Sequence, residues 1–177
     1  EQGGTAVAET LFGNVNPSGK LPITFYCDTT QLPDFQDYRM TGRTYRYLNT
    51  KPLFPFGYGL SYTTFKFGKP KVLGQDVVVN VTNTGKYRGT ETIQLYIRSC
   101  ADQNGPKKSL RGFSKVTLKP GETQKVSIPL TSEMMTTFDE STNTMRVLPG
   151  DYQLFVGTSS DNHDLQTIKY TLKNNDL

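Results

Sequence analysis

With 177 residues, the chain has room for one ordinary domain and an extra segment, and can bury roughly two-thirds of its unfolded surface in a single core. Its net charge of +4 comes from scattered Lys and Arg; the one tight cluster, Lys107, Lys108 and Arg111, reads as a solvated loop, so no nucleic-acid partner is expected. No apolar run approaches the roughly 20 residues of a membrane-crossing helix and mean hydropathy is −0.52, so no membrane insertion is expected.

The chain opens on Glu1 without a methionine or a charged-then-apolar leader, and reads as a piece excised from a longer protein. Residues 5–12 alternate small and apolar types and stop at Gly13, which predicts a short helix ending there. After the turn Asn14–Gly19, Lys20 to Phe25 reads as one strand. A lone strand exposes unpaired N–H and C=O groups, which leaves a strand-exchanged dimer of the chain open.

From Cys27 to Pro55 neither period 2 nor period 3.6 is sustained, which predicts an irregular linker, either functional or tied down on a neighbouring surface. The run Pro55–Phe65, PFGYGLSYTTF, packs four aromatic rings and two glycines into one short connector. Gly57 and Gly59 permit backbone angles closed to other residues while the rings offer apolar area, so a packed joint between two domains is expected.

Beyond Phe65 the pattern becomes alternation. Val77, Val79 and Val81 share one face, as do Ile93, Leu95 and Ile97, then Val126, Ile128 and Leu130, and finally Tyr152, Leu154 and Val156. Turn signals separate these half-buried strands at Asn83–Gly85, Asn104–Pro106, Lys119–Gly121 and Leu148–Gly150. A mainly β, antiparallel two-sheet sandwich is predicted, with one helical turn over Ser132–Phe138.

Four passages, in order, resemble the C-terminal end of glycoside hydrolase family 3, the β-glucosidases and β-xylosidases with a fibronectin type III-like last domain. They are GGTAVAETLFGNVNPSGKLPITF at 3–25 with the joint at 55–65, VVVNVTNTGKYRGTETIQLYI at 77–97, LRGFSKVTLKPGETQKVSIPL at 110–130 and LPGDYQLFVGTSS at 148–160. The GRTYRY stretch at 42–47 leans toward the β-xylosidase-like members. The resemblance implies an immunoglobulin/fibronectin type III-like sandwich over 66–177. It is preceded by the remnant of an α/β domain at 1–26 and an interdomain linker at 27–65.

The resemblance further implies a parent that is a retaining β-glycosidase acting on plant-derived oligosaccharides, periplasmic or extracellular, with no cofactor. A retaining enzyme needs two carboxyl groups roughly 5–5.5 Å apart. The family places both upstream of this segment, so no catalytic residue is assigned here and the chain alone is expected to be inactive. Its partners are then the missing catalytic domains of the same polypeptide and the parent's oligosaccharide substrate. The resemblance does not separate glucoside from xyloside.

Other groups carry little chemistry. Asp34, Asp37, Asp139 with Glu140, and Asp161 with Asp164 sit in polar turns and read as solvated. His163 has no second His or Cys near it, and Asp161–Asp164 lacks the ligand spacing of a calcium loop, so no metal is expected. Cys27 and Cys100 fit no metal or redox motif and read as independent thiols, and the Asn80-Val-Thr82 sequon falls mid-strand. Arg43 and Tyr45, in a linker also holding Tyr38, Arg39, Arg46 and Tyr47, are the candidate substrate contacts, since sugars favour aromatic faces beside planar donors. The competing explanation is that they dock the linker on the catalytic domains. Two other functions remain: a carbohydrate-binding sandwich using Tyr87, Tyr96, Phe113 and Tyr152, or a purely structural domain.

Overall fold

Apolar side chains at every second position drive the strands between Phe65 and Leu172 into two sheets that face each other. A computed structural model describes residues 2–139 and 141–173. Helix α1 (Gly3–Leu11) and the single helical turn α2 (Thr44–Tyr47) precede strands β1 (Phe65–Phe67), β2 (Lys71–Leu73), β3 (Asp76–Asn83), β4 (Gly89–Ser99), β5 (Ser109–Leu118) and β6 (Thr123–Pro129). Strands β7 (Thr136–Asp139), β8 (Thr144–Val147), β9 (Gly150–Gly157) and β10 (Leu165–Leu172) follow.

In the first sheet β1 and β2 lie end to end along one edge of β3, and β6 pairs with its other edge. The second sheet runs β10-β9-β4-β5, and β7-β8 forms a separate hairpin; all pairings are antiparallel. The alternating sets read from the sequence meet between the sheets: Val77, Val79 and Val81 with Val126 and Ile128 on one side, Ile93, Leu95 and Ile97 with Leu154 and Val156 on the other. The antiparallel sandwich expected from the alternation is therefore the fold. Among the described residues no helix is long and apolar enough to cross a membrane.

Three local expectations are corrected. Residues 20–25 form no strand: Pro22 lacks an N–H, and only Leu21 and Phe25 find backbone partners, at Tyr58, Gly57, Phe54 and Leu53. Because these bonds lie within the chain, the strand-exchanged dimer loses its premise. The helical turn near 132 is a 3₁₀ turn at Ser132–Met135, and the chain then extends into the β7-β8 hairpin. Finally β4 is not half-buried: Thr92 to Ile97 are all buried, because its outer face is covered as well.

Asn83 closes the end of the sandwich. Its side chain is fully buried; Oδ1 accepts from Thr63 Oγ1 at 2.7 Å and Gly85 N at 3.0 Å, and Nδ2 donates to the carbonyls of Tyr87 at 2.8 Å and Leu118 at 3.0 Å. One amide thus ties the joint, the β3-β4 turn and β5 together. Asn83→Ala leaves buried donors and acceptors unpaired and should lower the unfolding free energy by about 3 kcal/mol. A urea midpoint that hardly moves, at unchanged slope, would contradict this role.

Candidate functional site

The joint covers the outer face of β4. Tyr45 stacks on Phe56 with ring centroids 4.4 Å apart, and both rings stand edge-on to Tyr96, at 5.8 and 6.4 Å. Tyr96 is wholly buried, and its hydroxyl donates to Gln94 Oε1 at 2.5 Å. Gln94 Nε2 in turn donates to the carbonyls of Gly57 at 3.1 Å and Thr158 at 2.6 Å. Gly57 has φ +80°, and a Cβ there would sit 2.2 Å from Gln94 Oε1, so this close approach requires glycine. The packed joint expected from PFGYGLSYTTF is present, with a polar core that the sequence did not reveal.

Lys108 adds a charge to this contact. It is only 6% exposed; Nζ donates to Ser160 O at 2.8 Å and Asn162 Oδ1 at 2.5 Å, and it lies 5.4 Å from the centre of the Phe155 ring. Ser160 N donates to Phe56 O, and Lys107 reaches Leu48 O through Nζ at 2.7 Å and Arg46 O through its backbone N–H at 2.8 Å. The expectation of a solvated loop is corrected at Lys108, which is buried against the β9-β10 turn, while the exposed Lys107 fastens the linker at Leu48 and Arg46.

A second anchor holds the N-terminal segment. Asn16 Nδ2 donates to Arg88 O, while its Oδ1 accepts from Ser61 Oγ and Tyr62 N. Lys20 pairs with Glu91 at 2.7 Å, both side chains mostly buried, and Tyr62 Oη donates to Thr10 O at 2.7 Å.

Of the two candidate sugar contacts, Tyr45 is committed to docking, its hydroxyl accepting from Leu110 N at 3.0 Å. Arg43 donates to the carbonyls of Arg39 and Asp37, which fold the 37–43 loop onto itself. Two-pronged bonding from Arg39 holds the Asp37 carboxylate well below its ordinary pKa. The structure therefore brings Tyr45 to the sandwich and leaves Arg43 apart from it. Tyr152 lies in the inter-sheet core and Tyr96 is buried beneath the joint, so the four-ring binding platform is reduced to Tyr87 and Phe113, 61% and 62% exposed. Both cysteines are free thiols, and no group of His, Cys, Asp or Glu among the described residues is arranged to hold a metal ion.

The other face of residues 3–62 is bare. Helix α1 buries none of its residues, and Leu11, Phe12, Phe35 and Tyr38 are 75–91% exposed. Of the nineteen large hydrophobic residues exposed among the described residues, fourteen lie before Thr63, so the apolar excess belongs to this segment and not to the sandwich.

Residues 1–62 match the family model of the glycosyl hydrolase family 3 C-terminal domain, and residues 91–160 that of a fibronectin type III-like domain. The chain belongs to glycosyl hydrolase family 3. It is 52% identical over 178 aligned positions to a xylan 1,4-beta-xylosidase of Xylanibacter ruminicola, spanning 97% of this chain and 21% of that relative. It is 40% identical to a periplasmic beta-glucosidase of Salmonella typhimurium over 90% of this chain and 23% of that one. A β-glucosidase structure from Erythrobacter marinus superposes with a TM-score of 0.81 at 42% identity, covering 98% of this chain and 24% of that one. The chain thus spans about a fifth to a quarter of the length of the family members it matches.

Burial sets the titration of the contact. It pushes the Tyr96 phenol above its ordinary value of 10.0, and lowers the Lys108 amine from 10.5 to about 8 against a weaker opposing pull from Asp161. Between pH 8 and 10.5 the unfolded chain binds a proton on Lys108 that the folded chain lacks, so this group makes stability rise with pH. Tyr96 works the other way: its contribution is intact below pH 10.0 and is lost as pH rises beyond it. Relative to Lys108→Met, the wild type should gain roughly 2 kcal/mol of unfolding free energy from about pH 8 to about pH 10. A pH-independent difference in urea unfolding would show that the amine is not desolvated.

Proposed function

We propose that this chain is the supporting C-terminal part of a retaining β-glycosidase that hydrolyses O-glycosidic bonds in plant-derived oligosaccharides, and that it supplies no catalytic carboxylate. The observation that carries this reading is the asymmetry of residues 3–62. One face is fastened to the sandwich by Tyr45, Phe56, Asn16 and Lys20, and the other presents Leu11, Phe12, Phe35 and Tyr38 to be covered. A nine-residue helix with no buried residue has too little support of its own, since isolated helices shorter than roughly 12–15 residues are marginal. The remainder of the polypeptide is the natural cover. The organisation we propose is an α/β-domain remnant at 1–26, a linker at 27–65 and the sandwich at 66–177, in a periplasmic or extracellular protein.

In this reading Arg43 and Tyr45 fix the linker's shape and seat. The sandwich acts as a rigid base that holds the linker against the catalytic domains. Family resemblance and the names of the relatives support both glucoside and xyloside as substrates.

Hydrolysis of nitrophenyl β-D-xyloside and β-D-glucoside should be confined to the full-length protein, with none by this chain at equal molarity. Turnover by the chain alone would overturn the supporting role. In the full-length enzyme, Tyr45→Phe removes the acceptor for Leu110 N and should lower stability by about 1 kcal/mol while KM stays unchanged. A raised KM with unchanged melting would instead restore Tyr45 as a sugar contact.

A further inference from the structure

Beside the docked linker lies a cleft of about 580 Å³, within the range of roughly 300–1,000 Å³ typical of small-molecule sites. It opens between α2, the loop after β4 and the β7-β8 hairpin, and continues into a small recess at the end of β4. Arg46 and Arg111 line the cleft, and Arg98 and Arg111 line the recess. The Nε atoms of Arg98 and Arg111 are buried and meet no acceptor. Arg111 uses one terminal nitrogen on Thr136 O at 2.8 Å, and no ion pair forms at Arg46, Arg98 or Arg111 among the described residues.

The counter-charge is short. Asp139 is already taken by Arg146 at 3.3 Å and by Ser141, which among the described residues lining the cleft and recess leaves Asp102 against three guanidiniums. Burial and the charge of Arg46 together depress the Arg111 guanidinium. Guanidinium charge gathered at one cleft with little counter-charge is costly, and a carboxylate relieves this best because it matches the planar fork with two parallel bonds. The rim adds a second feature: Phe138 and Met145 are 49% and 60% exposed beside Tyr47, an apolar border suited to the C–H face of a sugar ring.

We propose that this cleft binds an acidic sugar, a hexuronate whose carboxylate sits on Arg98, Arg111 and Arg46 while its ring lies against Phe138 and Tyr47. The assignment stands whether or not the whole protein hydrolyses glycosides.

The test is titration of the chain with D-glucuronate, D-glucose and acetate at constant ionic strength, followed by amide chemical shifts and calorimetry. Glucuronate should give saturable shifts confined to residues 46–47, 98–111 and 137–147; glucose should give none, and acetate should bind at least tenfold more weakly. Arg46→Gln, which removes an exposed guanidinium that meets no carboxylate, should weaken glucuronate at least fivefold with unchanged melting. Absent saturation, acetate as tight as glucuronate, equal binding of glucose, or full affinity in Arg46→Gln overturns the assignment.

Discussion

The buried hydroxyl of Tyr96 and the amide of Gln94 set the terms for everything N-terminal to the sandwich. Both side chains point away from the inter-sheet core, where a strand of a two-layer sandwich would ordinarily meet water. Instead Tyr45 and Phe56 cover Tyr96, and Gln94 reads the carbonyls of Gly57 and Thr158. A buried hydroxyl or amide without a partner costs on the order of 1–3 kcal/mol, so the joint has one low-energy seat on the sheet. Aromatic edge contacts favour that seat by about 0.5–1.5 kcal/mol per pair beyond the area they bury.

The second anchor sits at the opposite end of the joint and works by different chemistry. Asn16, Lys20 and Tyr62 connect the N-terminal segment to the β3-β4 turn, the start of β4 and α1, and Asn83 closes the sandwich beneath them. Two separated anchors fix orientation as well as position. That is why a segment with little regular structure is held firmly on the sandwich while Leu11, Phe12, Phe35 and Tyr38 stay exposed.

Charge follows the same division. The lysines at 107 and 108 are spent on carbonyl oxygens of the linker and the β9-β10 turn, whereas the arginines at 46, 98 and 111 gather around an open cleft. Lysine serves as a compact charge that satisfies several carbonyls at short range. Arginine keeps a planar fork whose unused donors stay directed at whatever enters.

The alternation of Val77, Val79 and Val81 with Ile93, Leu95 and Ile97 decided the sandwich before any contact was known, because side chains on a strand alternate strictly between faces. The helix stop at Gly13 and the packed character of PFGYGLSYTTF were equally legible, since each depends on local backbone freedom or local apolar content. Residues 20–25 misled because strand formation needs a neighbour, and alternation does not say whether one is present. The Lys107-Lys108 pair misled because charge predicts solvation only until the fold supplies enclosed oxygens. Sequence alone settled the core-facing sets of β3, β4, β6 and β9 and the family. Tertiary structure alone decided that β4 is covered on both faces, that Lys108 is buried and that Arg46 is brought to the same cleft as Arg111, because each depends on contacts between segments far apart along the chain.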